Sequence, residues 1–216
     1  MIGVLRFPGS CDEVDALKAA SKVDDARILW HQDTELGDVD AVVVPGGFSY
    51  GDYLRCGAIA RFSPIMGAVA EFARDGGLVL GICNGFQVLC EAHLLPGALL
   101  PNQSLRFVCR QVDVEVVDPT TPFTHGTSEG ERLSIPVKHT TGCYFAPPEQ
   151  IDDVRVVLRY APGHNPNGSL RDIAGVVNEA GNVMGLMPHP EHAVDAREGS
   201  SDGLKLFQSM AARVAA

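Results

Sequence analysis

Residues 78–87 read L-V-L-G-I-C-N-G-F-Q, a strand, a turn and the start of a helix in ten residues. An apolar run ends at a tight turn in which Cys83 lies between Gly81 and Gly85, and a helical segment follows. This is the G-x-nucleophile-x-G elbow with Cys in the place of Ser. The glycines leave room for a strained backbone, and the N-terminus of the helix favours the thiolate. The pattern predicts a nucleophilic cysteine at the carboxyl edge of a sheet; the alternative is a buried structural cysteine.

Strand and helix patterns alternate in the first half of the chain, and strands dominate the second half. Strand-like runs lie at 2–7, 26–30, 41–44, 78–82, 112–117, 154–160, 173–178 and 183–187. Ser10, with Glu13 three residues later, predicts a capping box at the start of the first helix. We therefore predict one α/β domain over residues 1–216: an open, mostly parallel, flavodoxin-like sheet with flanking helices. Additional antiparallel strands are expected in the C-terminal half.

Composition excludes several classes of function. The 216 residues carry a formal net charge of -10, which opposes nucleic-acid binding because that binding depends on Lys and Arg at phosphates. No apolar stretch approaches the roughly 20 residues that cross a bilayer, and the first residues lack a signal-peptide pattern. The six cysteines show no disulfide framework, so we expect reduced thiols, a cytoplasmic protein and no membrane partner.

A second motif supplies a base for Cys83. Residues 187–192 read M-P-H-P-E-H, and the two prolines that flank His189 exclude a helix. In an extended chain, residues two apart point to the same side, so Glu191 is predicted to fix the His189 tautomer. The order Cys…His-x-Glu predicts a catalytic triad of Cys83, His189 and Glu191. A surface loop and a metal site that includes His192 are the alternatives; we expect no metal, because no matching ligand pair occurs.

The glycines after the third strand predict a backbone site that binds the negative charge of a reaction intermediate. Pro45 is followed by Gly46 and Gly47, which allow the backbone to approach a ligand closely. We predict that the N–H groups of Gly47 and Asn84 form an oxyanion hole, and that Gly46 contacts substrate; the alternative is a plain turn. Gln87, one turn beyond Cys83, is predicted to bind substrate or to satisfy a buried polar site. The following loop, 48–55, suits a substrate wall or a partner surface.

Four segments together resemble a known family: P-G-G-F-S-Y-G-D at 45–52, G-I-C-N-G-F-Q at 81–87, N-G-S-L-R-D-I-A-G at 167–175 and G-L-M-P-H-P-E-H at 185–192. They resemble the class I (triad) glutamine amidotransferases and, more narrowly, the PurQ-type glutaminase subunits of phosphoribosylformylglycinamidine synthase. The resemblance implies that Cys83 attacks the side-chain amide of glutamine and that His189 protonates the departing ammonia.

The resemblance also implies partners. Ammonia would pass to a separate PurL-type synthetase, which uses ATP and Mg to convert formylglycinamide ribonucleotide to the amidine in purine biosynthesis. A small PurS-type subunit would complete the assembly, and this chain would need no cofactor of its own. Relatives commonly carry a His-Gly-Glu-Gly or Ser-Gly-Glu-Gly stretch where this chain has 139–142, H-T-T-G, so the glutamine pocket is expected to differ there.

Two other classes of function stay open at this point. One is a cysteine hydrolase of the same fold that acts on peptides or small amides. The other is a noncatalytic subunit that senses glutamine, which the altered segment 139–142 favours and the complete triad opposes.

Overall fold

The computed structural model describes residues 1–214. Four α-helices and eleven β-strands make up the regular structure of this part of the chain. The first half contains β1 (Ile2–Arg6), α1 (Glu13–Ala20), β2 (Ala26–Trp30), β3 (Ala41–Val44), α2 (Pro64–Arg74), β4 (Leu78–Ile82) and α3 (Asn84–Glu91). The second half contains β5 (Ala98–Pro101), β6 (Val108–Val116), β7 (Arg132–His139), β8 (Thr141–Phe145), β9 (Arg155–Tyr160), β10 (Ile173–Val177), β11 (Val183–Leu186) and α4 (Leu204–Val214).

Within the described residues, nine strands form one sheet in the order β2-β1-β3-β4-β11-β10-β9-β6-β7. The strands from β2 to β11 pair in parallel, and each pair from β11 onward to β7 is antiparallel. β3 and β4 are buried along their whole length, as apolar runs covered on both faces should be. The predicted α/β class with added antiparallel strands is confirmed.

The position of β11 brings the two sequence motifs together. β11 pairs in parallel with β4, and its last residue, Leu186, lies opposite Ile82. Neighbouring parallel strands end at the same edge of a sheet, so the segment after Leu186 emerges beside Cys83. The N–H of Cys83 donates to the Leu186 carbonyl at 2.8 Å, which fixes this arrangement.

The local predictions were partly wrong. The capping box does not form: the Ser10 hydroxyl accepts from the N–H of Phe7 at 3.0 Å, and α1 starts after Asp12 without a side-chain cap. Strands β5, β7 and β8 were not predicted. β7 contains Pro136, which is tolerated because β7 lies at the edge of the sheet and needs only one ladder of hydrogen bonds.

Across residues 1–214, no helix has both the length and the apolar character needed to cross a membrane.

Candidate active site

Cys83 occupies a strained turn between β4 and α3. Its φ of 51° and ψ of -104° lie outside the regions that L-residues usually adopt, which costs about 1–3 kcal/mol. Close packing on both sides of Cys83 excludes any side chain at positions 81 and 85. A Cβ on Gly85 would overlap the Val44 carbonyl, and one on Gly81 would lie 2.9 Å from the Gly85 backbone. The sequence expectation that both glycines relieve crowding at the elbow is therefore confirmed.

His189 follows β11 and is held by its main chain and its ring. The N–H of His189 donates to the Pro136 carbonyl at 2.8 Å, and its Nδ1 lies 2.6 Å from Glu191 Oε1. The predicted contact between Glu191 and the ring forms, but the extended chain expected for it does not, because residues 190–192 form a short 3-10 turn. The other ring nitrogen, Nε2, is buried and has no hydrogen-bond partner among residues 1–214, which leaves it available to a reacting group.

One small cavity is lined by four of the predicted site residues, whereas Glu191, Asn84 and Gly46 lie outside its lining. Cys83, His189, Gly47 and Gln87 all line it, together with Asp12. A larger cavity of about 1030 Å³ opens beyond the C-terminal end of α3, but its lining includes none of these residues. The larger volume therefore does not identify the candidate active site. The smaller cavity is the candidate, because a thiol, an imidazole and a glycine-rich backbone converge there.

Electrostatics at the cavity favours a charged imidazole. Burial by itself disfavours the imidazolium, but the carboxylate of Glu191 and the neighbouring Cys83 outweigh it and raise the pKa of His189 to about 10. The side chains of His189 and Glu191 are 1% and 0% exposed, so their interaction is poorly screened by water. This arrangement therefore stabilises a protonated His189 ring at the cavity that Cys83 also lines.

Gly47, after β3, lies where only a glycine fits. Gly47 has a φ of 143°, and a Cβ there would lie 2.6 Å from the Cys11 nitrogen and 2.8 Å from the Ser10 Cα. The N–H of Gly47 donates to no backbone carbonyl within residues 1–214. Asn84 is the first residue of α3, where an N–H has no intrahelical acceptor. Both N–H groups are free to bind negative charge, and their joint role remains a prediction.

Gln87 connects three parts of the cavity wall. Its Oε1 accepts from Asn84 Nδ2 at 2.8 Å, and its Nε2 donates to the Thr141 carbonyl at 2.5 Å. Asn84 in turn accepts from the N–H of Ser49 at 3.0 Å and donates to Asp52 at 3.2 Å. Gln87 thus satisfies a buried polar network at the edge of the cavity, and direct substrate binding by it remains a prediction.

The segment 139–142 forms part of the cavity wall. His139 is buried, and its Nε2 lies 3.0 Å from Asn167 Nδ2, which also donates to the Tyr160 hydroxyl at 3.2 Å. Gly142 packs directly against the His139 ring, so a Cβ there would collide with it. The N-G-S turn at 167–169 therefore supports the wall from behind, a role that the sequence did not reveal.

The loop 48–55 turns part of its surface inward and part outward. Phe48 and Asp52 line the cavity, whereas the side chains of Tyr53 and Leu54 are 74% and 89% exposed. Exposed apolar residues beside a reactive site are typical of a surface that a partner covers. Both predicted uses of this loop remain predictions.

Sequence reasoning missed Asp12. This carboxylate is buried, and its Oδ2 lies 3.6 Å from His189 Nδ1. Its Oδ1 pairs with Lys138 Nζ and lies 3.2 Å from His192 Nε2. Gly46 lies behind the cavity wall: a Cβ there would strike Asp12 and come within 2.8 Å of His189. No local signal marks Asp12, because a single Asp before a helix usually predicts only a cap.

The same residues include a set of metal-type ligands. One donor atom from each of Asp12, His189, Glu191 and His192 falls within 4.8 Å of the others. Lys138 already supplies a positive charge to Asp12, and Glu191 is bonded to His189. A cation here would have to compete with both interactions, so the donors fit an ion-paired network better than a metal centre.

Comparison with known proteins gives this site a family. A family model described as a CobB/CobQ-like glutamine amidotransferase domain matches residues 1–211. The chain therefore belongs to the CobB/CobQ-like glutamine amidotransferase family.

Individual relatives narrow the similarity. The chain is 55% identical to subunit PurQ of phosphoribosylformylglycinamidine synthase from Salinibacter ruber, over 96% of this chain and 94% of that protein. It is 56% identical to the same subunit from Rubrobacter xylanophilus, over 98% and 97% of the two chains. It superposes on a chain of the PurLQS structure from Thermotoga maritima with a TM-score of 0.93 and 45% identity, over 99% of this chain and 98% of that chain.

Proposed function

We propose that this chain is the glutaminase subunit of a phosphoribosylformylglycinamidine synthase. One observation carries the proposal: His189 and Cys83 line a single cavity together with Gly47, and Glu191 contacts the His189 ring from behind that cavity. The names of the relatives that match nearly the whole chain support the particular pathway.

The first half-reaction releases ammonia. The Cys83 thiolate attacks the side-chain amide carbon of glutamine, and the N–H groups of Gly47 and Asn84 hold the oxyanion that forms. The imidazolium of His189 gives its proton to the departing ammonia, and a glutamyl thioester remains on Cys83. Glu191 stabilises the charge that His189 carries before this transfer. Gly46 and Gln87 shape the cavity around the substrate.

The second half-reaction regenerates the enzyme. His189, now neutral, takes a proton from water, which attacks the thioester carbonyl at the same oxyanion hole. The tetrahedral intermediate then collapses, and glutamate leaves as the thiolate re-forms. Only side chains and backbone groups of this chain take part, so no cofactor and no metal are needed.

The ammonia is used by a partner. We propose that this partner is a PurL-type synthetase. It uses the ammonia, with ATP and Mg, to convert formylglycinamide ribonucleotide to formylglycinamidine ribonucleotide in the synthesis of IMP. A small PurS-type subunit completes the complex. The similarity to a chain of a structure named PurLQS supports this assembly. We further propose that residues 1–216 act as one domain in the cytoplasm.

The decisive experiment measures two activities of the reconstituted complex. Cys83→Ala should abolish synthesis that depends on glutamine but leave synthesis that depends on added ammonia intact, because only the thioester chemistry is lost. Cys109→Ala is the matched control, since Cys109 is exposed on β6.

The outcomes separate the competing functions. Loss of both activities in Cys83→Ala would mean that the subunit acts only as a structural part of the complex. Turnover of peptides in place of glutamine would favour the cysteine hydrolase. A wild-type chain that binds glutamine without cleaving it in the complex would favour the sensing subunit.

A further inference from the structure

Asp12 places a second carboxylate beside the imidazole of His189. Its Oδ2 lies 3.6 Å from Nδ1, the same atom that Glu191 contacts at 2.6 Å. The longer distance is too great for a hydrogen bond, so Asp12 acts on the ring through its charge. The side chain of Asp12 is 4% exposed, and water therefore screens that charge weakly.

A buried carboxylate needs compensation, and Lys138 provides it. The ammonium of Lys138 forms an ion pair with Asp12, and His192 Nε2 adds a contact at 3.2 Å. Burial raises the pKa of Asp12, but His192, His189 and Lys138 outweigh it and hold that pKa well below its usual range. Asp12 is therefore charged whenever the enzyme works near neutral pH.

The Asp12–Lys138 pair also contacts other parts of the site. The Lys138 carbonyl lies 3.9 Å from the Cys83 sulfur, so Lys138 meets the nucleophile through its main chain and Asp12 through its side chain. The N–H groups of Cys11 and Asp12 both approach the Gly46 carbonyl at 3.3 Å. These contacts fasten the loop before α1 to Gly46, which precedes the cavity-lining Gly47.

We propose that Asp12, paired with Lys138, is a positioning residue that stabilises the His189 imidazolium next to Cys83 and the glycine loop. This rests on the proposed glutaminase function. Glu191 fixes the tautomer by a direct hydrogen bond, whereas Asp12 adds negative charge from a different element. Lys138 limits that charge, so that the imidazolium can still release its proton to the departing ammonia.

The test measures the pKa of His189 directly. Groups from several elements surround this ring: Glu191 and His192 on its own segment, Asp12 before α1, Cys83 at the elbow, and Lys138 with His139 on β7. Histidine-labelled protein in a Cys83→Ala background, which removes the coupled thiol, is titrated by NMR, and His189→Gln assigns the resonance.

Opposite shifts are expected from the two members of the pair. Asp12→Asn should lower the pKa of His189 by about 1 to 3, because an opposite charge within about 4–6 Å is lost. Lys138→Met should raise it, because a positive charge near the ring is lost. Asp15→Asn is the matched control: Asp15 lies three residues further on, pairs with Lys18 at the surface and should leave the pKa unchanged.

A pKa in Asp12→Asn that equals the control value would overturn the proposal, as would a loss of thermal stability without any change in that pKa. If Asp12→Asn does not fold, Lys138→Met decides by the sign of its shift. Alkylation of Cys83 in the otherwise wild-type chain by a chloroketone analogue of glutamine tests the proposed function separately. Labelling with no effect of Asp12→Asn on His189 would reject only the positioning role, whereas no labelling in the assembled complex would reject the glutaminase itself.

Discussion

Replacing Glu191 by Gln removes the charge next to His189 while it keeps the shape of the side chain. Glu191 Oε1 lies 2.6 Å from His189 Nδ1, and the pKa of His189 is raised to about 10. Loss of an opposite charge this close lowers a pKa by about 1 to 3, which equals about 1.4–4 kcal/mol of imidazolium stability. In the second half-reaction the neutral His189 ring gains this charge as it takes a proton from water, so kcat falls by about 10- to 1000-fold where that step limits the rate.

KM should change little, because Glu191 does not line the cavity that holds the substrate. The assay is release of glutamate from glutamine by the assembled complex, with kcat and KM determined separately. Glu198→Gln is the control, since Glu198 is exposed in the same part of the chain. A kcat for Glu191→Gln within twofold of wild type would remove Glu191 from the mechanism. Glu191→Ala should also lower kcat less than His189→Ala does, because orienting the imidazole contributes less to the rate than the proton transfer itself.

Two further predictions concern stability. Gly85→Ala should destabilise the fold by about 3 kcal/mol or more, because its Cβ meets the rigid Val44 carbonyl; Gly67→Ala should stabilise it by about 0.5–1 kcal/mol, since no atom lies within 4 Å. Urea unfolding measures both, and equal effects would refute the packing argument. Burial and the nearby His189 charge lower the pKa of His139 to about 3, whereas in the unfolded chain it is about 6.5. The unfolded chain therefore binds a proton at His139 that the folded protein does not, and the free energy of unfolding decreases as the pH falls from about 6.5 to about 3. Between pH 7 and 5 the free energy of unfolding of the wild type should therefore fall by about 2 kcal/mol more than that of His139→Gln. His125 is exposed, and His125→Gln should show the same decrease as the wild type.

The strands that the sequence predicted well are those whose pattern is local and complete. The runs at 26–30, 41–44 and 78–82 match β2, β3 and β4 residue for residue. β3 and β4 are continuous apolar stretches bounded by turns, which leave few alternatives, and β2 interrupts its apolar run only at Arg27. β7 was missed for the opposite reason. Pro136 argues against a strand unless one knows that the strand lies at an edge, and edge position is a property of the whole sheet.

The failed capping box shows how tertiary contacts override a local signal. A local rule assigns Ser10 and Glu13 to each other, and it treats Asp12 only as another capping residue. In the structure the Asp12 carboxylate is instead committed to Lys138 and His192, and α1 begins without a side-chain cap. The capping rule failed at the start of α1 because Asp12 there forms contacts within the candidate site.

Fold class could be predicted from the sequence because strand and helix patterns repeat along the chain. The elbow at Cys83 and the pairing of His189 with Glu191 could also be predicted, since each depends on residues within a few positions of one another. No sequence pattern predicts that β11 lies beside β4, and this long-range pairing places His189 at the edge where Cys83 emerges. Long-range contacts likewise bring Asp12 from the first loop to the His189 imidazole, and Lys138 from the edge strand to Asp12. The physical reason is that charge and close contact act through space, whereas periodicity and turn chemistry act along the chain.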